Sequence, residues 1–219
     1  MMIIDPHIHE KTYSSDSTLS LTEIISRARS IGLDGVCITD HDSNEITDTA
    51  NQLSKETGFL IIVGVEILTY EGDLTVFGLN KIPSEMMHAQ EVIEMAIRAG
   101  GIAISAHPFR QNNRGMGSFV KEVYGLAGLE AFNGSTTPYN NLYAYGLAKE
   151  LNITALGASD AHNIKAIGKY ATAFQGTVRD IVDFIEAVKS GKALPAVLTD
   201  SGYETIDLSE ILHNDNNLQ

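Results

Sequence analysis

The sequence MMIIDPHIHE, residues 1–10, places two histidines directly after a short apolar run. The apolar residues 2–5 predict a buried strand at the start of the fold. Side chains at positions i and i+2 of a strand project from the same face, so His7 and His9 are expected to point in one direction. Such a pair fits half of a metal site, a strand with a polar face, or chance, and the rest of the sequence decides among them.

Short apolar runs alternate with helical patterns along the rest of the chain. Further strands are predicted at residues 35–40, 59–67, 73–79, 101–107, 128–133 and 155–160, and several lack the alternation of half-exposed strands. Helices are predicted between them at residues 21–31, 44–57, 85–99, 138–151 and 178–190; Ser20 and Glu23 form a capping box before the first. This α/β alternation predicts a mostly parallel sheet with helices outside, and about seven units favour closure into a (β/α) barrel.

Five of the seven histidines lie at or just beyond the C-terminal end of a predicted strand. In α/β barrels that end of the sheet carries the active site. Carboxylates lie at the same end of the predicted sheet. The histidines and carboxylates there are His7, His9, His41, His107 and His162 with Asp5, Asp40, Glu66 and Asp160. Asp16 lies in the loop after the first strand. Each residue alone has an ordinary explanation as a cap, a strand exit or an ion-pair partner. Their common location favours a metal site, and His88 and His213 are left as structural or solvated.

The residue types indicate which metals such a site would bind. Imidazole and carboxylate together suit zinc, manganese and iron, whereas oxygen ligands alone would indicate magnesium or calcium. Eight or nine ligands exceed what one ion can use, so two or three divalent ions are expected, and Glu66 could bridge two of them. Paired ions can activate water and neutralise a phosphoryl oxygen, and no G-x-S-x-G nucleophile motif is present.

Composition restricts the partners and the compartment. The chain of 219 residues carries 15 Lys and Arg against 28 Asp and Glu, a formal charge of −13. This balance argues against long nucleic acid, because phosphate contacts need a basic surface, but a small phosphorylated substrate is compatible with a local metal site. Cys37 is the single cysteine, which fits a reducing cytoplasm. No eighteen apolar residues run together, so no membrane partner is expected. The oligomeric state is left open.

The motifs in their order resemble those of the polymerase and histidinol phosphatase (PHP) superfamily. They are His7-x-His9, Asp16, Thr39-Asp40-His41, Gly64-Val65-Glu66, Ala106-His107-Pro108 and Ser159-Asp160-Ala161-His162. The resemblance runs from residue 3 to about residue 198, so residues 1–200 are predicted to form one PHP domain and residues 201–219 a polar C-terminal segment. It implies a distorted seven-stranded (β/α) TIM-like barrel, a trinuclear metal centre, and phosphoester hydrolysis by metal-bound hydroxide.

The same resemblance implies how the ligands divide. His7, His9, Glu66 and Asp160 would hold the first ion; Glu66, His107 and one further residue the second; Asp16, His41 and His162 the third. Many members place a histidine or cysteine as that further ligand, at the end of the strand after the His-Pro motif. This chain reads LEAFNGS there, so Asn133 is the best candidate, and a turn-forming asparagine before Gly134 is the alternative.

The substrate prediction depends on the loops. The interval between Glu66 and His107 is short and lacks the subdomain that many relatives insert, so the site is expected to be open. Arg110 and Arg114 could clamp a phosphate through bidentate guanidinium contacts, or could be solvated loop residues. The sequence thus predicts a metal-dependent phosphoesterase acting on a small phosphomonoester such as histidinol phosphate, a nucleotide or a sugar phosphate.

Asp160 and His162 are the candidate catalytic proton carriers of that enzyme. An amidohydrolase-type C–N hydrolase, which also begins with His-x-His, and a non-catalytic PHP module are the alternatives. The Asp160-x-His162 pair and the Thr-Asp-His motif favour the phosphoesterase.

Overall fold

The computed structural model describes residues 1–208, in which strands and helices alternate. The strands are β1 Met2–Ile8, β2 Gly35–Ile38, β3 Leu60–Val63, β4 Val65–Leu68, β5 Asp73–Phe77, β6 Ile102–Ser105, β7 Gly128–Asn133, β8 Thr154–Ala158, β9 Tyr170–Phe174, β10 Ala193–Thr199 and β11 Gly202–Thr205. The α-helices are α1 Leu21–Ser30, α2 Thr47–Thr57, α3 Ala89–Arg98, α4 Pro138–Glu150 and α5 Ile181–Lys189, and a 3-10 helix covers Gly117–Glu122.

The strands form two mixed sheets. One has the order β11-β10-β9-β1-β2-β3 and the other the order β4-β5-β6-β7-β8. Pairing is parallel within β1-β2-β3 and within β6-β7-β8, and the remaining pairs are antiparallel. The α/β class is therefore confirmed, but hydrogen bonding within residues 1–208 does not produce one closed seven-stranded barrel.

The departure from parallel order begins in the apolar run 59–67. This run splits into β3 and β4 at Gly64, where an added Cβ would lie 2.6 Å from the ring of Phe77 and 2.9 Å from the carbonyl oxygen of Val76. After β4 the chain returns as a hairpin through residues 69–72, because a parallel connection needs a dozen or more residues. The run at β5 consequently pairs antiparallel with both of its neighbours.

The two sheets meet at two seams on the same side of the fold. A β-bridge joins Ile8, at the end of β1, to Ala161, just after β8. A second bridge joins His41, just after β2, to Glu66 in β4. These seams bring together the ends of four strands that the sequence marks with histidines and carboxylates.

The helix boundaries largely follow the local signals. The capping box at Ser20 and Glu23 is present, and α2 ends at Gly58 in the left-handed conformation. By contrast α3 begins at Ala89, five residues beyond Ser84, because His88 is its N-cap and the carboxylate of Glu71 accepts the Ala89 N–H at 2.7 Å.

The last three strands were absent from the sequence prediction. β9, β10 and β11 form an antiparallel extension beside β1, and β10 contains a proline at position 195. β11 lies just beyond the predicted domain boundary at residue 200 and pairs with β10; the division into residues 1–200 and 201–219 stays a prediction. Residues 209–219, with His213, lie outside the described residues. None of the helices in the described chain has the length and apolarity that crossing a bilayer would need.

Candidate metal centre

Four predicted ligands of the first ion converge in the structure. The Nε2 atoms of His7 and His9 lie 2.9 Å apart. Each lies 3.4–3.6 Å from Oε2 of Glu66 and from Oδ1 of Asp160. All four side chains are almost completely buried, although they come from β1, the residue after it, β4 and the turn after β8. His7 and His9 therefore supply two of the four side chains of one cluster, and Glu66 and Asp160 supply the other two.

Hydrogen bonds orient both histidines of this pair. Nδ1 of His7 lies 2.7 Å from Oε1 of Glu130, and Nδ1 of His9 lies 3.2 Å from the hydroxyl of Ser14. That hydroxyl donates to Asp40 at 2.9 Å, so it accepts from His9. A histidine whose Nδ1–H is donated in this way presents the lone pair of Nε2 to a metal.

A second cluster shares Glu66. Nε2 of His107 lies 2.9 Å from Oε1 of Glu66 and 3.7 Å from Oδ2 of Asp73. The ligand atoms of these three residues all lie within 4.8 Å of one another. Glu66 thus directs one oxygen to each cluster, as a bridging carboxylate would. Asp73, the first residue of β5, is a candidate ligand that the sequence analysis did not name.

Asn133 lies at the end of β7, the position that the sequence predicts. Its side-chain Nδ2 donates to Oε2 of Glu130 at 2.9 Å, and its Oδ1 accepts from the backbone N–H of Ser135 at 2.9 Å. It therefore supports the partner of His7 and the turn after β7. The structure brings Asp73 beside Glu66 and His107, and the role of Asn133 as a metal ligand stays a prediction.

The three residues predicted for a third ion also meet. Oδ2 of Asp16 lies 3.2 Å from Nε2 of His41 and 3.2 Å from Nε2 of His162. The ring of His9 stacks on that of His162 at 4.2 Å, which joins this cluster to the first. The side chain of Asp16 is 54% exposed, so this cluster forms the open side of the centre.

Both predicted substrate-binding arginines border the centre. Nη1 of Arg110 lies 2.6 Å from Oδ2 of Asp160, and Nε of Arg114 lies 2.6 Å from Oδ2 of Asp73. Each guanidinium is about one-third exposed. The two guanidinium groups neutralise part of the negative charge of the carboxylates at the edge of the site. Their remaining N–H groups are available to donate hydrogen bonds on the exposed side.

The charges of the buried groups depend on one another. Burial alone would raise the pKa of Glu66, but electrostatic attraction to His7 and hydrogen bonds from the neighbouring histidines hold it well below its ordinary value. Burial and the charge of Glu66 raise the pKa of Asp73 to about 6. Burial lowers the pKa of His9 to about 4, so His9 is neutral at pH 7, the form that binds metal.

These residues fit divalent ions on two further counts. Oδ1 of Asp160, Oδ1 of Asp73 and Nδ1 of His107 are buried and have no hydrogen-bond partner among the described residues. Unpaired buried carboxylate oxygens are costly unless a cation or donor satisfies them. The donor set, imidazole nitrogen with carboxylate oxygen, is the one that zinc, manganese and iron prefer.

Two of the ligands lie in an uncommon backbone conformation. His107 has φ 28° and Asp160 has φ 52°, and each lies two residues beyond the end of a strand. Positive φ values are uncommon outside glycine and cluster at functional sites. These turns direct both side chains back over the strand ends, toward Glu66.

Sequence reasoning missed several supporting residues, above all Glu130 and Asp73. Glu130 is a carboxylate inside the apolar strand β7, and Asp73 begins β5. A charged residue within a fully buried strand is the signal that could have identified Glu130, because such a group needs a partner.

Models of protein families match most of the chain. The model of the PHP domain matches residues 5–122, more than half of the 219 residues, and a PHP-associated model matches residues 138–193. The chain belongs to the PHP family. The resemblance seen in the motifs is thereby confirmed, and the clusters of histidine, aspartate and glutamate in this PHP chain are able to bind metals.

Two relatives are similar in sequence. An uncharacterized protein of Methanocaldococcus jannaschii is 32% identical over 142 residues, which cover 60% of this chain and 82% of that protein. A 5′-3′ exoribonuclease of Haemophilus influenzae is 40% identical over 78 residues, which cover 35% of this chain and 28% of that enzyme. The second match therefore concerns a small part of a longer enzyme.

Two solved structures share the fold. A lesion-specific endonuclease from Pyrococcus furiosus superimposes with a TM-score of 0.70 at 18% identity, over 98% of this chain and 66% of that one. A protein from Bifidobacterium adolescentis, provisionally described as a metal-dependent phosphoesterase, gives a TM-score of 0.64 at 18% identity, over 84% and 95%. At this identity the likeness concerns the fold.

The prediction that long nucleic acid is not a partner is wrong. The similar endonuclease acts on nucleic acid, and so does the related exoribonuclease. Net charge failed as a criterion because it averages over the whole surface, whereas a phosphate contacts the site alone. Four of the 28 acids, Asp16, Glu66, Asp73 and Asp160, lie in the candidate metal centre, where bound cations would reverse the local sign.

Proposed function

We propose that the chain is a metal-dependent phosphoesterase with three ion positions. The observation that supports this most is the convergence of nine ionisable side chains, buried except at the Asp16 side, around the shared carboxylate of Glu66. The candidate ligands are His7, His9, Glu66 and Asp160 for the first ion, Glu66, Asp73 and His107 for the second, and Asp16, His41 and His162 for the third.

Bound ions would supply Lewis acidity and activate water, the two requirements of phosphoester hydrolysis. Hydrolysis forms a bond between a water oxygen and phosphorus and breaks the ester P–O bond, and the leaving oxygen takes up a proton. Oδ1 of Asp160 faces the histidines while Oδ2 faces Arg110. Asp160 could thus serve an ion with one oxygen and handle a proton with the other, and His162 is the second candidate for this proton.

The arginines position the phosphate in this proposal. Arg110 and Arg114 lie at the edge of the centre with part of each guanidinium exposed. Their free N–H groups can donate to the non-bridging oxygens of a phosphoester, and the planar fork favours a bidentate contact. Each arginine contacts a candidate ligand directly, so a phosphate held by it would lie beside the ions.

We further propose that the ester belongs to a nucleotide or a nucleic-acid strand. The names of the related exoribonuclease and the similar endonuclease support this class. Residues 67–106, between Glu66 and His107, contain the rest of β4, then β5, α3 and β6 and no further helix or strand, so no inserted subdomain covers the site. The alternative substrate is a phosphomonoester of a nucleotide or of another small molecule. The substrate panel described below distinguishes it from a nucleic-acid strand.

The test is hydrolysis of a substrate panel with manganese, zinc or iron. The panel holds a 5′-phosphorylated oligonucleotide, bis-p-nitrophenyl phosphate, p-nitrophenyl phosphate, histidinol phosphate and a cyclic amide. His41→Ala and Asp160→Asn should lower turnover beyond the roughly 10- to 100-fold loss typical of a changed outer-shell contact. Their circular dichroism should stay unchanged.

His88→Ala is the matched control for these variants. His88 lies outside the metal centre with its side chain 63% exposed, and its loss should leave turnover as it is. Phosphoester hydrolysis that persists at the wild-type rate in both metal-centre variants would refute the proposal. Hydrolysis of the cyclic amide alone would favour the amidohydrolase alternative.

A further inference from the structure

Helix α4 presents two exposed tyrosines on one face. The side chain of Tyr139 is 77% exposed and that of Tyr143 is 55% exposed. Residues four apart are neighbours on a helix surface, so the two phenol rings lie along one line. Two exposed aromatic side chains side by side form a patch, and exposed apolar patches mark sites of interaction with another molecule, whereas a single exposed ring does not.

This helix is anchored at the metal centre. The side chain of Asn141 exchanges two hydrogen bonds of 3.1 Å with the backbone of Asn133, at the end of β7. Asn133 in turn donates to Glu130, the partner of His7. The first turns of α4 therefore lie on the face of the fold that carries the candidate ligands.

The loop after β6 connects the tyrosines to the centre. The ring of Phe109 meets that of Tyr143 edge-on, with centroids 4.6 Å apart and an interplanar angle of 80°. Nδ2 of Asn140 donates to the backbone oxygen of Phe109 at 2.8 Å, which holds the loop against the helix. The next residue along the chain is Arg110, whose guanidinium contacts Asp160. An aromatic surface is thus continuous with the arginine that borders the ions.

We propose that Phe109, Tyr139 and Tyr143 form a stacking surface for the unpaired bases of a nucleic-acid strand whose phosphate lies at Arg110. This inference rests on the proposed phosphoesterase function and specifies its substrate as single-stranded. Bases stack on aromatic rings whatever their sequence, and a duplex would hide the base faces.

Stacking would add affinity beyond the single phosphate contact at Arg110. Stacking on tyrosine needs no positive field, and the phenol hydroxyls suit a surface in contact with water. A strand bound here would contact the protein through base faces and through one phosphate at the metal centre.

The experiment measures fluorescence anisotropy of two labelled probes. One is a 5′-phosphorylated thymidine hexamer with phosphorothioate linkages, which slow hydrolysis, and the other is the same strand with abasic residues. Wild-type protein should bind the thymidine strand at least about tenfold more tightly than the abasic strand. The double variant Tyr139→Ala/Tyr143→Ala should lose roughly 10- to 100-fold on the thymidine strand, as expected for two lost stacks, and little on the abasic strand.

Two controls separate stacking from folding. Tyr139→Phe/Tyr143→Phe keeps both rings and should bind as the wild type does. Tyr124→Ala removes an 80% exposed tyrosine that precedes β7 at the opposite end of that strand, and it should also leave binding unchanged. Thermal unfolding of each variant verifies that the fold is intact.

Three results would overturn the stacking surface: equal affinity of the wild type for both probes, an equal loss on both probes in the alanine variant, or a wild-type dimer that the alanine variant dissociates. Hydrolysis of bis-p-nitrophenyl phosphate, measured in parallel, tests the underlying function separately. If that ester is cleaved but bases confer no preference, the stacking surface fails alone. If bases confer the preference and no phosphoester in the panel is cleaved, the proposed activity fails and the stacking surface remains.

Discussion

Oε1 of Glu130 lies 2.7 Å from Nδ1 of His7, and both side chains are buried. Oε2 of the same carboxylate accepts the backbone N–H of His107 at 3.0 Å. Glu130 therefore fixes the ring of one candidate ligand and the backbone of another. These two ligands belong to different ion positions. A single residue in β7 therefore orients one ligand of each position through hydrogen bonds.

We expect Glu130→Gln to weaken metal binding. An amide has one oxygen and no negative charge, so it cannot accept from both His7 and the backbone N–H of His107 as the carboxylate does. Without a charged partner at Nδ1, Nε2 of His7 becomes a poorer metal ligand. Changes of this kind typically cost about 10- to 100-fold in metal affinity. Titration with zinc or manganese, followed by calorimetry, measures the loss. Glu186→Gln, at a side chain 69% exposed on α5, is the matched control, and equal affinities in the two variants would contradict the role given to Glu130.

The histidines of the centre were predictable because their positions depend on local sequence. A residue directly after an apolar run lies at a strand end, and parallel strands place those ends together. Glu130 and Asp73 were not predictable by that rule, because Glu130 lies inside an apolar run and Asp73 at the beginning of one. Their approach to His7 and His107 depends on which strands become neighbours, and this depends on pairing over long sequence distances.

The sheet topology was only partly predictable for a similar reason. An apolar run indicates a strand without its direction, so the run at β5 gave no sign that it pairs antiparallel. The turn at residues 69–72, four residues long, was the available signal. The strands β9 and β10 are rich in alanine, and Pro195 weakens the local signal for β10.

We expect Asp73→Asn to lower the number of bound ions by one, while Asn133→Ala leaves that number unchanged. Asp73 is the third carboxylate or imidazole beside Glu66 and His107, whereas the side chain of Asn133 already serves Glu130 and the turn after β7. Metal analysis of protein purified in excess manganese or zinc counts the ions. Loss of the ion in Asn133→Ala alone would restore Asn133 as the ligand.

The same asparagine should matter for stability. Removing its side chain leaves buried hydrogen-bonding groups without a partner, which costs about 1–3 kcal/mol in the free energy of unfolding. Urea unfolding of Asn133→Ala, compared with the wild type in chelator, measures this cost in the absence of ions. An unchanged midpoint would contradict the structural role.

We expect Ser20→Ala to destabilise the protein by about 1 kcal/mol, the usual effect of losing an N-cap. The hydroxyl of Ser20 accepts the backbone N–H of Glu23, and the Glu23 carboxylate accepts the N–H of Ser20 in return. Ser26→Ala, at an exposed position inside the same helix, should change stability by less than about 0.5 kcal/mol. Thermal unfolding that shows equal effects at the two positions would argue against the capping box as a source of stability.

The ion pair between His88 and Glu71 should make stability depend on pH. Nδ1 of His88 lies 2.6 Å from Oε1 of Glu71. This hydrogen bond raises the pKa of His88 above its ordinary value of 6.5. Burial acts to raise the pKa of Glu71, but the hydrogen bonds from His88 and from the backbone of Ala89 outweigh it and lower the pKa below 4.5.

The raised pKa of His88 and the lowered pKa of Glu71 determine how stability changes with pH. The contribution of His88 is complete below pH 6.5 and is lost as the pH rises through its raised pKa, and that of Glu71 is present above pH 4.5 and is lost on acidification. The difference in melting temperature between the wild type and Glu71→Gln should therefore be largest between these two values and smaller in alkaline buffer. NMR titration of His88 should show a raised pKa that returns toward 6.5 in Glu71→Gln and stays raised in the control Glu85→Gln, whose side chain is exposed. A pKa of His88 that is the same in all three proteins would show that the pair contributes nothing in solution.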